Sequence, residues 1–326
     1  MAEGNCYCIK STIQIVMKRF FKFLKNELFF VKKMIQYRYG LGKWKRYINN
    51  KFFLLRLLRG MKPISCKKQD DFEVHILTPK SGLWMTYWTI RSFMYHSKLC
   101  PRVVVHDDGT IDEKTAQIFE SKFSNVKVLR RAEADSIFNN SPSIPDIIKR
   151  HRKSTNVLIL MFLDHLFLSM SRRVLVLDND ILFYDRPTEI IDFVEGRSNM
   201  DAIYAVYGDG KNPLDVSEAY QKKHPDILDD AARLNSGIMV FDKSKIDIDW
   251  VVEYFEHTTK PNGHLIEQTG WGMVLAQISH AFFPEDKYKL RGAVEFPAVA
   301  KHFTNPRRHE MFAYGIDEAR ERIKYD

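Results

Sequence analysis

The sequence has no uninterrupted apolar run approaching the ~20 residues that span a bilayer. It also has no short apolar core followed by a small-residue cleavage site. The expectation is a chain with neither a transmembrane helix nor a secretory signal. Cysteine is scarce: Cys6, Cys8, Cys66 and Cys100 are the only four. Cys6 and Cys8 are one residue apart, not the two of a zinc knuckle, and no nearby His completes a site. A disulfide framework is not expected either, and a reducing compartment is the simplest inference. Internal repeats and low-complexity tracts are absent. Acidic residues are nearly missing from the first part of the chain. Residues 1–68 hold 17 Lys and Arg against Glu3 and Glu27 only, whereas the remaining 258 hold 33 basic and 39 acidic residues. The net charge of +9 therefore averages a strongly basic segment with a mildly acidic body. Such a segment points to a polyanionic surface. Nucleic acid is not the expected partner: the Phe and Leu content is too high for a surface that stays wet, and no recognition motif is present.

What is present in residues 1–68 is amphipathic. Residues 10–36 mix Ile13, Phe20, Phe21, Leu24, Leu28 and Phe29 with Lys and Arg, and Gly40 and Gly42 break the pattern. Residues 43–59 repeat it. Basic amphipathic helices lie in a membrane interface, so an anionic membrane surface is the expected partner. The alternative is that these helices pack on the body or on a second subunit. On the membrane reading, residues 1–68 are a membrane-associating segment and linker, polar with Pro63 near its end, and removing residues 1–62 leaves the site intact. The location that follows is cytoplasmic, peripheral on the inner face of a membrane.

From residue 69 to 326 strands and helices alternate, as expected for a parallel sheet with crossover helices. Strands are expected at Phe72–Thr78, Arg102–His106, Val126–Leu129 and Ala202–Tyr207, and helices at Leu83–His96, Asp112–Phe123 and Asn156–Met170. The most informative stretch is residues 173–187, RVLVLDNDILFYDRP. An apolar strand stops at Asp178, Asp180 follows, and apolar character returns at Ile181. Two carboxylates are thereby delivered to the C-terminal end of a buried strand, the edge of an open α/β sheet where ligands bind. Carboxylates this close repel unless a cation sits beside them, and hard divalent cations take such oxygens together with phosphate or water. Asp107 and Asp108 end another strand, either lining a nucleotide pocket or forming a turn. His75, His151 and His165 read as ordinary core or surface residues.

Three blocks together resemble nucleotide-sugar-dependent glycosyltransferases of the GT-A fold, most nearly those of glycosyltransferase family 8. The first is the D-x-D strand. The second, Leu234–Phe241, is similar to the Asn-Ser-Gly strand under the donor sugar. The third, Lys301-His302-Phe303, is similar to the late His of the metal site. Ile266-Glu267-Gln268 is similar to the acidic-Gln pair that opens a helix beside that sugar. Order and spacing agree over residues 72–316. The loop Thr78-Pro79-Lys80-Ser81-Gly82 lacks the family's acidic residue, and after His302 the family's Gly and Lys-Pro-Trp are missing. Arg307, Arg308 or Lys301 are the candidates for the phosphate-neutralising charge.

The resemblance implies an α/β GT-A fold, an open, mostly parallel sheet with helices on both faces. It implies a metal, Mn²⁺ or Mg²⁺, held by Asp178, Asp180 and His302; neutral imidazole beside carboxylates suits Mn²⁺. Thr78, Asp107, Asp108, Asp178, Asn235, Ser236 and Gly237 are carried as substrate contacts. Glu267 and Gln268 are the catalytic candidates: if the reaction inverts, Glu267 takes the acceptor's proton; if it retains, as the resemblance implies, Gln268 stabilises developing positive charge. The partners implied are a nucleotide-sugar donor, a UDP-sugar, and a glycan or lipid-linked acceptor. Two rival readings remain: a haloacid dehalogenase-type phosphatase, which also places D-x-D after a strand, and an inactive GT-A-like membrane-bound scaffold.

Overall fold

The computed structural model describes residue 21 and residues 24–64, 71–154, 156–207, 210–290 and 298–323. The start of the first amphipathic stretch (residues 10–20), most of the linker (residues 65–70), and Cys6, Cys8 and Cys66 lie outside the described residues. The strands are β1 Phe72–Thr78, β2 Arg102–Asp107, β3 Val126–Leu129, β4 Arg173–Leu177, β5 Ile181–Phe183, β6 Ala202–Val206, β7 Leu234–Asp242, β8 His280–Phe282, β9 Tyr288–Lys289 and β10 Ala300–His302. Seven form one sheet in the order β3-β2-β1-β4-β7-β6-β8, and β5, β10 and β9 form a small second sheet. In the large sheet β7 runs antiparallel to β4 and β6, and the other pairings are parallel.

Helices cover both faces, which is why the central strands are continuous apolar runs and do not alternate with polar residues. Along β4, Leu175 and Leu177 enter one core while Val174 and Val176 enter the other, the two-residue period of a strand. The first core is centred on the helix Leu83–Ser97, buried on nearly every side. The second holds the helices Leu158–Phe167 and Ile266–Leu275. His75 and His165 are core residues there: His75 Nδ1 lies 2.8 Å from His106 Nε2, and both His75 and His165 are fully buried.

The N-terminal segment departs from the expected pattern. A helix spans residues 24–36, and the second stretch forms two helices, Leu41–Phe52 and Leu54–Gly60. Gly40 is the extended residue before the second helix, and Gly42 lies inside it instead of breaking it. These helices pack on the body. Phe30, Met34, Tyr47 and Leu58 are buried members of the first core. Asn50 fastens the contact, its amide donating to the Phe312 carbonyl at 2.9 Å and its Oδ1 accepting from Trp84 Nε1 at 3.3 Å. No described helix is long and apolar enough to cross a membrane. Cys100 is disulfide-bonded. One bond is not the framework whose absence the sequence predicts, but it removes the support for the inferred reducing compartment: the positions of four cysteines do not say which of them meet.

Candidate active site

The D-x-D turn is held by its neighbours. Asp178 N–H donates to the Gly237 carbonyl at 2.8 Å, which ties the end of β4 to the middle of β7. Asn179 donates its amide to Thr78 Oγ1 at 2.8 Å, and its carbonyl accepts from Thr89 Oγ1 at 3.0 Å. Asp180 opens β5, and its carbonyl accepts from Phe303 N–H at 2.8 Å. Because β5 pairs antiparallel with β10, His302 falls opposite Ile181, directly beside Asp180. Two residues 122 positions apart thus meet through one short pairing.

His302 Nε2 lies 3.1 Å from Asp178 Oδ2 and 3.1 Å from Asp180 Oδ1. The ligand atoms of Asp178, Asp180 and His302 all lie within 4.8 Å of one another, the one such group among the described residues. Asp180 Oδ1 is buried without a hydrogen-bond partner. Two hard oxygens and an imidazole nitrogen around an unsatisfied buried carboxylate oxygen fit a divalent cation. The other nitrogen, His302 Nδ1, lies 3.2 Å from Asn235 Oδ1, an outer contact that orients the ring. Gly237 makes the approach possible: a Cβ there would sit 2.4 Å from His302 Cε1 and Nδ1. Gly237→Ala is therefore expected to displace the imidazole and weaken Mn²⁺ binding at least tenfold, at a stability cost of about 1–3 kcal/mol. Mn²⁺ titration beside a melting curve checks it; undiminished binding would place the third ligand elsewhere.

Charge balance in the site is strong. Burial by itself would lower the His302 imidazole, but the Asp180 and Asp178 carboxylates outweigh it and hold it up at about 9. Burial would likewise raise Asp180, yet Arg308 and His302 hold that carboxyl well below the usual range. Arg308 Nε donates to Asp180 Oδ2 at 2.8 Å. Metal binding needs neutral imidazole. Below about pH 9 metal uptake should therefore release a proton, and affinity should rise with pH by up to about tenfold per unit. Without metal the sign reverses: with its folded pKa raised, His302 contributes stability that is fully present below about pH 6.5 and lost as pH rises through about 9. Calorimetry in buffers of different ionisation enthalpy reads the proton directly, and metal uptake without proton release would show that no charged imidazole is displaced.

Asp178 lines a cavity of ≈ 710 Å³, and Asp180 and His302 lie buried behind it. From the body it is lined by Asp108, Asp178, Asn179, Ser236, Glu267 and Arg308. Ser236 Oγ donates to Glu267 Oε2 at 2.9 Å. Burial first, and the Asp178 charge second, push the Glu267 carboxyl up to about 8. Gln268 sits behind it, its Oε1 accepting from Tyr207 OH at 3.1 Å.

Other candidates separate. Asp107 is buried and spends Oδ1 on the backbone N–H groups of Gly109, Thr110 and Ile111, and Oδ2 on Arg130, so it holds its own turn while Asp108 lines the cavity. Thr78 is fully buried and engaged with Asn179 and Thr86. Lys301 neighbours His302 on β10 and by strand alternation points to the other side. Of the three candidate cations, Arg308 contacts the D-x-D through Asp180. Sequence reasoning missed Asn179, although its place between the two Asp residues is itself a signal. It also missed Asn26, Glu27, Phe30, Lys51 and Phe52, which line the same cavity from the N-terminal helices.

No protein-family model and no curated protein sequence matches the chain. Solved structures do. The chain is similar to a galactosyltransferase, LgtC, crystallised with donor and acceptor sugar analogues, at a TM-score of 0.50 and 14% identity over 77% of this chain and 95% of that one. Mouse xyloside xylosyltransferase 1 in its apo form matches at a TM-score of 0.47 and 11% identity, over 74% of this chain and 98% of that one. The mannosyltransferase Ktr4p from S. cerevisiae matches at 0.43 and 10%, over 74% and 78%. At such identity the LgtC likeness is one of fold: the body has the GT-A glycosyltransferase fold. The phosphatase alternative, which rests on a different fold, is set aside.

Proposed function

We propose that the chain is a metal-dependent glycosyltransferase that moves a sugar from a nucleotide-sugar, a UDP-sugar, to a glycan or lipid-linked acceptor at an anionic membrane surface. The observation that carries the reading is the meeting of Asp178, Asp180 and His302 at the C-terminal end of a central strand of a GT-A sheet, with Asp178 opening onto a ligand-sized cavity. These three residues would hold the divalent cation, which when bound supplies Lewis-acid stabilisation of the diphosphate leaving group.

In the transfer, the bond from the anomeric carbon to the phosphate oxygen breaks, and its electron pair leaves with the nucleoside diphosphate. The acceptor hydroxyl oxygen forms the new bond to the anomeric carbon, and its proton passes to the departing diphosphate oxygen. Arg308, 36% exposed, is free to turn one of its N–H groups from Asp180 toward that diphosphate. Asn235 and Gly237 shape the floor under the sugar. A carboxyl held protonated near neutrality donates a hydrogen bond and is a poor base. Glu267 therefore suits positioning the sugar better than taking the acceptor's proton, which favours the retaining reading; Gln268, held by Tyr207 behind the cavity lining, would have to turn to reach the anomeric carbon.

A donor screen tests the reading. UDP-sugars are expected to raise the melting temperature clearly with Mn²⁺ and little with EDTA, and one of them to be slowly hydrolysed. A panel of nucleotide-sugars that neither shifts the melting temperature nor is hydrolysed would favour the inactive scaffold.

A further inference from the structure

The cavity above the D-x-D has two walls of different origin. One is the GT-A body. The other belongs to the N-terminal helices, where Glu27, Phe30, Lys51 and Phe52 face the same space as Asp178 and Glu267. This second wall is built, not incidental. Lys51 Nζ lies 2.6 Å from Glu27 Oε1 and donates to Tyr47 OH at 2.9 Å, while Tyr47 OH donates to Glu27 Oε2 at 3.0 Å. The ammonium also lies over the rings of Phe30, 4.5 Å from its centroid, and Phe312.

The outward side of the same helices is unlike the rest of the surface. Among the described residues thirteen large hydrophobic side chains are exposed, and ten of them fall between Phe21 and Phe53, including Leu28, Ile35, Leu41 and Ile48, with Leu41 at 89% exposure. Lysines and arginines are interleaved with them, and Glu27, the one acid among residues 21–60, is already paired. Phe52 and Phe53 join the two sides. Both are exposed, and both line a neighbouring surface cavity of ≈ 630 Å³ that shares Phe52, Pro79 and Ser81 with the site cavity. An apolar face ringed by cations is complementary to an anionic lipid surface. It is not complementary to a second copy of itself, whose like charges would face it.

We infer that the N-terminal helices are the acceptor side of the active site, and that the acceptor is an amphiphile held in an anionic bilayer: its polar head enters between Asp178 and the Glu27–Lys51 pair, and its apolar part stays along Phe52 and Phe53. This rests on the glycosyltransferase reading and narrows its acceptor to a lipid-anchored one.

The test uses the full chain with vesicles of phosphatidylcholine and phosphatidylglycerol that carry a total membrane lipid extract, together with radiolabelled UDP-sugar. Label is expected in the organic phase. In a Leu28→Ser, Leu41→Ser, Ile48→Ser variant, which changes only exposed positions outside both cavities, lipid labelling should fall at least tenfold, while Mn²⁺-dependent UDP binding and donor hydrolysis stay unchanged. Phe53→Trp fluorescence should be quenched by brominated phosphatidylglycerol, and Ile137→Trp, an exposed control, should not. Label found only in water-soluble products, equal labelling by the triple variant, or an unquenched Phe53→Trp would overturn the inference; so would a dimer whose contact the triple variant abolishes without any vesicle binding. Failure of UDP to bind at all would instead overturn the glycosyltransferase reading and leave the quenching result standing by itself.

Discussion

Deleting residues 1–62 is expected to leave a body that no longer folds to a soluble, active monomer. Phe30, Met34, Tyr47 and Leu58 are fully or almost fully buried in the core that contains Leu83–Ser97. Burial of such side chains is worth ~1.5–3 kcal/mol each, so the four together contribute on the order of 6–12 kcal/mol. That matches the ~5–15 kcal/mol by which a whole domain is stable. The deletion also removes Glu27, Phe30, Lys51 and Phe52 from the cavity. That packing speaks against the expectation drawn from the sequence that removing this segment leaves the body and its site intact. Expression with size exclusion and a melting curve decides: aggregation or loss of a cooperative transition is expected, whereas a soluble truncated protein with full turnover would show that the helices only rest on the body.

Replacing either of two metal-site residues should remove activity with little loss of fold. His302→Ala takes away one proposed ligand, and its effect on metal affinity should at least equal the ~10–100-fold cost of losing an outer-shell partner. Asp180→Asn keeps the volume of the side chain but removes the charge that faces both Arg308 and His302. Turnover is expected to fall by about 10²-fold or more in each. In Asp180→Asn the His302 imidazole loses the carboxylate that chiefly holds its pKa up. Kinetics across Mn²⁺ concentrations read the effect. Wild-type turnover in His302→Ala at every concentration would move the third ligand elsewhere.

The first strands were legible because buried strands leave contiguous apolar runs bounded by polar turns; β1 and β3 were bounded correctly to the residue, while β8, β9 and several helices were not read. The D-x-D was legible for the same reason. His302 was reachable only through the resemblance, since the β5–β10 pairing that brings it to Asp180 spans more than a hundred residues and leaves no local mark. The choice among Lys301, Arg307 and Arg308 depended on which way a strand and its following turn point, and composition does not carry that. Asp107 and Asp108 differ by one residue and face different tasks, one its own turn and one the cavity. The N-terminal pattern was read as amphipathic, but its apolar residues serve two surfaces: Phe30 and Met34 enter the core while Leu28 and Ile35 remain outside. A hydrophobic pattern alone does not say which apolar face meets protein and which meets lipid.

The central claim is that Asp178, Asp180 and His302 bind a divalent cation together with a nucleoside diphosphate. Electron paramagnetic resonance of Mn²⁺ reads this directly, because the sharp signal of the free ion disappears on binding. The account predicts that the wild-type protein removes the free signal, that UDP strengthens the removal, and that Asp180→Asn leaves the signal as it is without protein. A free Mn²⁺ signal that the wild-type protein and UDP do not change, or one that Asp180→Asn removes as well as the wild type does, would contradict it.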